Sequence, residues 1–380
     1  MISLLKKNIC RLFRSRKSCP MAIYNINFAM NRAQKRVAYI YILDILKKPI
    51  SNNSFAHANR IHALQFLDYF IQEQYVIDFY DCSDRTVIDN SSTKYDLIFG
   101  FGKPYLELCS NHPDAKKVLF LTENAPWIVS DKFSEREAYY YERHKKKIFT
   151  YRRRGYYNKE MFDVSDRIIA LNGTYNIDEI KKLYPNIYAT KTNGIFDSKF
   201  NLPTHKNHSI TKYHFLWFGS KGSIHKGLDI LIDVFGSIET LELDLYGVPN
   251  EEIKEFRLPP NIHNCGFINV LSDNFLRDVV SKHTFVISLS CSEGMQSSIS
   301  TCMHYGLIPI VTRECGFDDA EGVIILKDFH VNYVKEKILE VCSFDELQIR
   351  KMEETCFDYA KKHLTVNSMI KDIDSVFKSF

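Results

Sequence analysis

One stretch of the chain, residues 292–311, places a carboxylate beside the start of a helix. An apolar strand pattern over residues 284–290 comes first, followed by Glu293 and Gly294 and then by a helical pattern that ends at Gly306. The free N–H groups and the dipole at a helix N-terminus attract anions. The spacing therefore predicts an anion site after Gly294, with the carboxylate of Glu293 beside it.

A second stretch, residues 219–227, has residue types that suit a phosphate group. It reads Gly-Ser-Lys-Gly-Ser-Ile-His-Lys-Gly and lies between the apolar strand 215–218 and an apolar helical pattern. Glycines let the backbone approach a phosphate closely, and Lys226 adds a cation at the predicted helix start. By itself this signal is weak, because a Lys-Gly pair is usually a solvated helix start.

Taken in order, these motifs resemble the donor half of retaining glycosyltransferases of the GT-B fold, the group called glycosyltransferase family 4 or glycosyl transferases group 1. The ordered series is far more specific than any one motif, and it extends over the C-terminal half of the chain. Its other members are Asn193-Gly194, Tyr246-Gly247, Gly266-Phe267 and the run Gly-Leu-Ile-Pro-Ile-Val at 306–311.

The chain departs from the family pattern at three places. The family motif is a glutamate, seven residues and a second glutamate; Glu293 matches the first, whereas Thr301 stands at the second. In the glycine-rich stretch, Ser220 stands where the family commonly has an arginine, and Lys221 is the candidate replacement. Residues 122–124 follow a predicted strand where similar enzymes often present a histidine, and they contain none.

The resemblance implies an enzyme that moves a sugar from a nucleotide-sugar donor to a glycan or lipid-linked glycan acceptor with retention of configuration. The expected setting is synthesis of bacterial-type surface polysaccharide or lipopolysaccharide. No cofactor is implied, since the donor is a substrate and basic side chains and helix N-termini replace a divalent metal at the diphosphate. In line with this, no Asp-x-Asp occurs in a donor-site position.

The resemblance also assigns roles to individual residues. Glu293 and Lys226 are the implied catalytic residues, with Glu293 on the donor sugar and Thr301 in the position that holds the ribose. Tyr246 has an equally good reading as a core residue. The implied donor-binding residues are Gly219, Ser220, Lys221, Lys226, Tyr246, Gly247, Phe267, Glu293, Gly294, Met295, Gln296, Ser297 and Thr301.

For the acceptor, the N-terminal half resembles the family in architecture only. The candidate acceptor-binding residues are Asn53, Glu123, Asn124 and Arg152. Glu123 either binds an acceptor hydroxyl or caps the following turn. Residues 135–159 mix basic and aromatic side chains, which fits a solvated helix face, contact with an anionic acceptor or lipid headgroups, or a nucleic-acid patch. The last interpretation is disfavoured, because no nucleic-acid module surrounds the stretch.

Strand and helix patterns alternate through both halves, which indicates an α/β fold with parallel sheets covered on both faces. The chain has 380 residues, a length at which cores tend to split into two domains. With the resemblance, this predicts the GT-B fold, two facing Rossmann-like doubly wound domains with a cleft between them. The predicted segments are a basic N-terminal segment at 1–35, an acceptor-binding domain at 36–200, a nucleotide-sugar-binding domain at 213–362 and a last helix at 363–380 that packs back on the first domain.

The cysteine count and the apolar and basic runs indicate the cellular compartment. The ten cysteines form no Cys-x-x-Cys pair, so neither a disulfide framework nor a zinc site is indicated, and a reducing cytosol fits best. No apolar run approaches the ~20 residues of a membrane span, and residues 1–20 lack the apolar core of a signal peptide. Residues 1–20 carry six basic residues and no acid. They are either a basic tail or an amphipathic segment that places a cytoplasmic enzyme peripherally on the inner face of an anionic membrane.

Two other functions fit part of the sequence. A catalytically inactive GT-B-like nucleotide-sugar-binding or scaffold subunit would explain Thr301, Ser220 and the absent histidine. A nucleic-acid-binding protein rests on residues 143–159 alone, and the formal net charge of +4 is small for this length. Neither explains the ordered series, so the expected partners are a nucleotide-sugar and a glycan or lipid-linked glycan, with no nucleic acid as target.

Overall fold

The computed structural model describes residues 22–27, 35–43, 58–83, 93–147, 156–202 and 206–380. Two of the predicted acceptor residues, Asn53 and Arg152, lie outside these ranges, as does the basic segment 1–20. None of the described helices combines the length and the apolarity that a membrane-spanning segment requires.

The first domain is built on a seven-stranded sheet. Its strands are β1 Ala22–Ile26, β2 Arg36–Tyr41, β3 Val76–Asp81, β4 Leu97–Gly100, β5 Lys116–Leu121, β6 Arg167–Leu171 and β7 Ile187–Thr190. Its helices are α1 Ala58–Gln72, α2 Lys103–Asn111, α3 Pro126–His144, α4 Lys159–Asp163 and α5 Thr174–Lys181. The strand order is β1-β3-β2-β4-β5-β6-β7, and only β1 runs antiparallel to its neighbour.

Burial explains why these strands read as continuous apolar runs. Every residue of β3 and β4 is buried, since helices cover both faces of a parallel sheet. At the centre, the ring of Tyr39 stacks on that of Phe79 at 4.3 Å between centroids. The predicted start of this domain at residue 36 is too late, because β1 pairs with β3 and so belongs to the same sheet.

The second domain is built on a six-stranded parallel sheet. Its strands are β8 His214–Phe218, β9 Glu242–Tyr246, β10 Ile262–Gly266, β11 Phe285–Ser288, β12 Ile308–Thr312 and β13 Ile324–Leu326. Its helices are α6 His208–Thr211, α7 Leu228–Gly236, α8 Asn250–Ile253, α9 Asp273–Phe275 continued by a π-helical turn Leu276–Val280, α10 Ser297–Met303, α11 Val331–Cys342, α12 Glu346–His363 and α13 Val366–Lys378. A 3-10 turn covers Arg313–Cys315. The strand order is β10-β9-β8-β11-β12-β13.

The order of the second sheet reverses between β8 and β11, which lie side by side. In open parallel sheets, ligands bind at the carboxyl ends of the strands at such a switch point. The loop after β8 is the glycine-rich stretch 219–227, and the loop after β11 carries Glu293. The topology therefore brings the two stretches singled out in the sequence together at one edge of the sheet.

Two helices tie the domains together. The last helix, α13, lies on the first domain: the Tyr69 hydroxyl donates to Asp374 at 2.8 Å, and the Thr190 hydroxyl donates to Asp372 at 2.9 Å. The other is α3, which we call the α3 strap. At its first turn Trp127 packs on Phe162 of the first domain, with ring centroids 4.9 Å apart.

The second half of the α3 strap packs on the second domain. Phe133 and Tyr140 form a buried cluster with Ile224 and Cys291. Arg143 forms ion pairs with Asp229 and Asp233 of α7. The interpretation of residues 135–159 as a contact for an anionic acceptor, lipid or nucleic acid is therefore wrong for the part of that stretch on α3, because Arg143 is committed to carboxylates of the second domain.

Candidate functional site

A cleft of about 490 Å³ lies between the carboxyl edges of the two sheets. Its walls come from both domains. Of the predicted donor and acceptor residues, the following line it: Gly219, Ser220, Lys226, Gly247, Phe267, Glu293, Met295, Gln296, Ser297, Thr301 and Glu123.

At the centre of the second-domain wall, Lys226 and Glu293 form a buried ion pair. The same carboxylate oxygen, Oε1, accepts from the Ser290 hydroxyl at 3.0 Å and from Gln296 Nε2 at 3.2 Å. A buried charge is stable only when it is paired and hydrogen-bonded, and this glutamate is both. Glu293 is thus held in one orientation independently of Lys226.

Backbone contacts fix the loop of Lys226 to the strand end that leads to Glu293. The N–H of Cys291 donates to the carbonyl of His225 at 2.9 Å, and that of Leu289 donates to Lys226 at 3.3 Å. Arg136 of the α3 strap, which is fully buried, donates from Nη2 to the Leu289 carbonyl at 2.8 Å. Its Nη1 lies 3.5 Å from the Ile224 carbonyl, so a residue of the first domain bridges both segments.

Gly227 is needed where the glycine-rich loop meets α7. Its φ is +71°, and a Cβ there would lie 2.5 Å from Leu289 Cβ and 2.7 Å from Arg136 Nη1. Glycine adopts this left-handed conformation without strain, and its lack of a Cβ leaves room for the guanidinium. The residue after Lys226 thereby sets the distance between the catalytic candidates and the α3 strap.

In the predicted phosphate-binding loop, two backbone N–H groups bind a carboxylate of the protein itself. The N–H groups of Gly222 and Ser223 donate to the carboxylate of Glu252, at 2.9 Å and 2.7 Å. An internal carboxylate therefore takes the place that the prediction reserved for a phosphate. The assignment of Lys221 to the donor site is also corrected. Its side chain is 74% exposed, pairs with Glu251 at 3.5 Å and does not line the cleft.

On the side of the predicted nucleotide base, the two aromatic candidates differ. Tyr246 is packed in the core, burial raises its pKa, and it does not line the cleft, so its donor-binding assignment is wrong. Phe267 is 78% exposed and lines the cleft. An exposed ring at a cleft edge offers a face on which a planar base stacks.

Thr301 lines the cleft, but its hydroxyl already has two partners. It accepts from the Ile195 N–H at 2.9 Å and donates to the Ser297 carbonyl at 2.8 Å. A hydroxyl has one proton to donate and two lone pairs. One acceptor position on Thr301 therefore stays available to a ligand.

Gly294 serves the domain contact and does not line the cleft, which corrects its assignment to the donor. A Cβ at this position would lie 2.6 Å from the Thr122 carbonyl and 2.9 Å from the Leu171 carbonyl, both at strand ends of the first domain. The helix that follows begins at Ser297, later than predicted. Nearby, the N–H of Tyr175 donates to Asp318 at 2.7 Å across the same contact.

The polar residues of the first-domain wall include Tyr41 and His62, which sequence reasoning missed, and the predicted Glu123. Asn124 is buried, and its Oδ1 accepts from the Ala125 N–H at 2.8 Å instead of facing the cleft, so its acceptor assignment is wrong. Residues 122–124 contain no histidine, but His62 of α1 lines the same cleft as Thr122 and Glu123. Its signal in the sequence is one polar side chain four residues after Ala58 and four before Phe66, on an otherwise apolar helix face.

In the described part of the chain, the side chain of His62 makes one hydrogen bond. Its Nε2 lies 2.5 Å from Oδ1 of Asn193, at the Asn-Gly turn of the sequence series. Burial lowers the pKa of His62 to about 4, with the Asn193 hydrogen bond opposing the shift. The imidazole is therefore neutral at neutral pH. Over the described ranges, no three His, Cys, Asp or Glu side chains are grouped as a metal site would require.

The comparisons with known proteins identify the fold. No family model and no curated protein sequence matches the chain. Solved structures do match, at low identity. TarM of S. aureus is 15% identical with a TM-score of 0.52, over 74% of this chain and 54% of TarM, so the chain spans about half of TarM's length.

Two other structures match over nearly their whole length. HepE from Anabaena, solved with UDP and glucose, is 12% identical with a TM-score of 0.57, over 91% of this chain and 100% of HepE. Sucrose-phosphate synthase from Thermosynechococcus elongatus is 10% identical with a TM-score of 0.59, over 91% of this chain and 99% of the synthase. The predicted fold is confirmed: the chain has the GT-B fold of these glycosyltransferases, with two facing α/β domains and a cleft between them.

Proposed function

We propose that the chain is a glycosyltransferase that moves a sugar from a nucleotide-sugar donor to a hydroxyl of a glycan or lipid-linked glycan, with retention of configuration. The observation that carries this proposal is the Lys226–Glu293 pair at the switch point of the second sheet, facing the other domain across the cleft. The UDP and glucose bound in HepE support a nucleotide-sugar as the donor class.

The ion pair suggests how the two residues share the work. Glu293 orients the Lys226 ammonium before a donor binds. When a diphosphate arrives, the ammonium compensates its charge, which grows as the sugar bond breaks. Glu293 then remains held by Ser290 and Gln296, so its carboxylate can accept from hydroxyls of the donor sugar. Both interactions strengthen toward the transition state, as charge develops on the diphosphate and on the sugar.

The closed contact between the domains serves the same reaction. Gly294 lies against the strand ends of the first domain, so the two domains are in contact beside Glu293. Water competes with the acceptor hydroxyl and would convert transfer into hydrolysis. We infer that donor and acceptor enter when the domains part and react when they close.

We further propose that transfer needs no divalent metal. Lys226 supplies the cation that a metal would otherwise provide at the diphosphate. The test is transfer in excess EDTA. Loss of activity on chelation, with recovery on adding magnesium or manganese, contradicts this proposal.

The setting we propose is synthesis of bacterial-type surface polysaccharide or lipopolysaccharide at the inner face of a membrane. Six basic residues within 1–20, each worth ~1 kcal/mol near an anionic surface, would hold the enzyme there weakly. Co-sedimentation with anionic liposomes tests this. Equal binding by the full chain and by a chain that lacks residues 1–20, at low and high salt, contradicts it.

The main experiment compares three variants, two of them in the glycine-rich stretch 219–227. Lys226→Ala and Glu293→Ala should each lower turnover at least ~100-fold, since each removes an interaction that stabilises the transition state. Lys221→Ala is the matched control, because Lys221 lies in the same loop but faces solvent. Full turnover in both cleft variants, with native circular dichroism spectra, would refute the assigned roles.

A specific observation supports a second candidate, an inactive nucleotide-sugar-binding or scaffold subunit. Thr301 replaces the family's second glutamate, and its hydroxyl is engaged by Ile195 and Ser297. A thermal-shift screen of nucleotide-sugars separates the two, since a ligand at ~100 times its dissociation constant stabilises by ~2.7 kcal/mol. Stabilisation without turnover of any donor that binds would favour the scaffold.

A further inference from the structure

We propose that Tyr41 and His62 form the acceptor subsite, and that this subsite binds the uncharged hydroxyls of a sugar ring rather than a phosphate or carboxylate group. The proposal rests on the proposed function, because it gives the first-domain wall a substrate. It names the chemical class of the group that reacts, which the donor-side residues leave undecided.

The first observation is a pair of buried polar atoms that have no partner in the described part of the chain. These are the Tyr41 hydroxyl and Nδ1 of His62, and both residues line the cleft. Leaving a buried polar group unpaired costs about 1–3 kcal/mol, so such atoms are rare unless a ligand completes them. Across the cleft, Oε1 of Gln296 is unpaired as well.

The second observation fixes what His62 offers. Asn193 donates from Nδ2 to the Gly194 carbonyl at 3.0 Å, which turns its Oδ1 toward His62. His62 Nε2 must therefore carry the ring proton and donate, which leaves a lone pair on Nδ1. The ring stays neutral at neutral pH, since burial lowers its pKa to about 4. A neutral acceptor atom suits a hydroxyl donor and gives no attraction to an anion.

The third observation is the charge of the wall. Among the described first-domain residues that line the cleft, Glu123 is the one ionisable carboxylate and no lysine or arginine occurs. Among these described residues no cation faces a phosphate on the acceptor, because Lys226 belongs to the opposite wall. A sugar hydroxyl can donate to His62 Nδ1, and another can accept from the Tyr41 hydroxyl.

A second histidine shows that an unpaired nitrogen alone does not define a site. His304 also has an unpaired, buried Nδ1, and burial likewise lowers its pKa to about 4. However, its ring stacks on Phe196 at 3.6 Å, its Nε2 bonds to the Leu364 carbonyl, and it does not line the cleft. His62 differs from His304 in lining the cleft, so His304 is its matched control.

The test is binding of small probes to the full chain in the presence of UDP, followed by ligand-observed NMR. The probes are methyl glycosides of glucose, galactose, mannose and N-acetylglucosamine, with glucose 6-phosphate as the anionic counterpart. We expect at least one neutral glycoside to bind and the phosphate to bind more weakly. His62→Gln, which keeps a donor toward Asn193 but loses the Nδ1 acceptor, and Tyr41→Phe should each weaken that glycoside about 10-fold.

The controls separate failure of this inference from failure of the proposed function. UDP affinity, measured by calorimetry, should be unchanged in both cleft variants, and His304→Gln should bind the glycoside like the unaltered protein. Unchanged glycoside affinity in His62→Gln and Tyr41→Phe, or equal binding of glucose 6-phosphate, would overturn the acceptor subsite while leaving donor binding intact. Absence of UDP binding would instead count against the transferase itself.

Discussion

Replacing Arg136 of the α3 strap by methionine should strongly destabilise the protein. Arg136 is fully buried, although it belongs to the first domain and its contacts lie in the second. Its guanidinium donates to the Leu289 carbonyl at 2.8 Å and lies 4.6 Å from the centroid of the Phe329 ring. Methionine preserves much of the volume but none of these polar contacts.

The size of the expected stability loss follows from the buried charge of Asp229, which Arg136 helps to compensate. Asp229 is buried, burial raises its pKa, and the positive charges of Arg136 and Arg143 oppose that shift. Removing one member of a buried ionic group costs about 3–5 kcal/mol, because the remaining charge is uncompensated. Against a total stability of roughly 5–15 kcal/mol, we expect Arg136→Met to lose about 4 kcal/mol. Arg136→Lys should lose less, since it keeps the charge.

The cost should depend on pH. A carboxyl whose folded pKa lies above its unfolded value destabilises the fold once pH exceeds that folded pKa, and the penalty disappears as the group is protonated. Without Arg136, the folded pKa of Asp229 rises further. The stability difference between the two proteins should therefore shrink as pH is lowered from about 7.5 to about 5.

Urea denaturation followed by tryptophan fluorescence gives the free energies of unfolding. Arg313→Met is the control: Arg313 stacks on Tyr175 at 4.1 Å but its side chain is 40% exposed, so we expect a loss of less than about 1 kcal/mol. A loss below ~1 kcal/mol for Arg136→Met, or one independent of pH, would refute the reasoning.

Three further predictions follow from buried groups. Burial lowers the pKa of His62 and of His304 from 6.5 to about 4, so the unfolded chain binds more protons in that window. The free energy of unfolding should fall by roughly 3 kcal/mol per histidine as the pH drops through this range. Each His→Gln variant should flatten the dependence of that free energy on pH, measured by urea titration. Glu252→Gln should destabilise by about 1–3 kcal/mol in the same assay, since one amide oxygen replaces two carboxylate oxygens under the loop N–H groups. Thr301→Ala should raise the donor KM and leave most of kcat, whereas Thr301→Ser should change neither by more than about 2-fold.

The fold was predictable because its signals are local. Parallel strands buried on both faces are apolar throughout, as in β3 and β4, and the loops at the switch point carry glycine, lysine and glutamate at recognisable spacing. Lys226 and Glu293 could therefore be named from the sequence, and the structure puts them in contact. Short β1 was missed, since it lies within the segment 1–35 that was interpreted as a basic N-terminal segment, and its pairing partner is more than fifty residues away.

The missed parts of the site depend on distant residues. The loop N–H groups of Gly222 and Ser223 are satisfied by Glu252, and no pattern in the loop itself specifies that partner. From the sequence alone, Arg143 resembles a solvent-exposed basic residue; its partner Asp229 is known only from the structure. Sequence patterns show which side chains are buried, whereas their partners follow only from how helices and sheets pack.

The ion pair between Lys226 and Glu293 has a kinetic consequence. Clefts lined by one sign of charge accelerate the arrival of oppositely charged molecules, and salt suppresses that acceleration. Here the two charges cancel within hydrogen-bonding distance, and the formal charge of the whole chain is only +4. An anionic donor therefore gains little long-range attraction, so its association rate should vary little with ionic strength. The attraction of Lys226 acts only after the donor has entered and the ammonium has turned from Glu293 to the diphosphate.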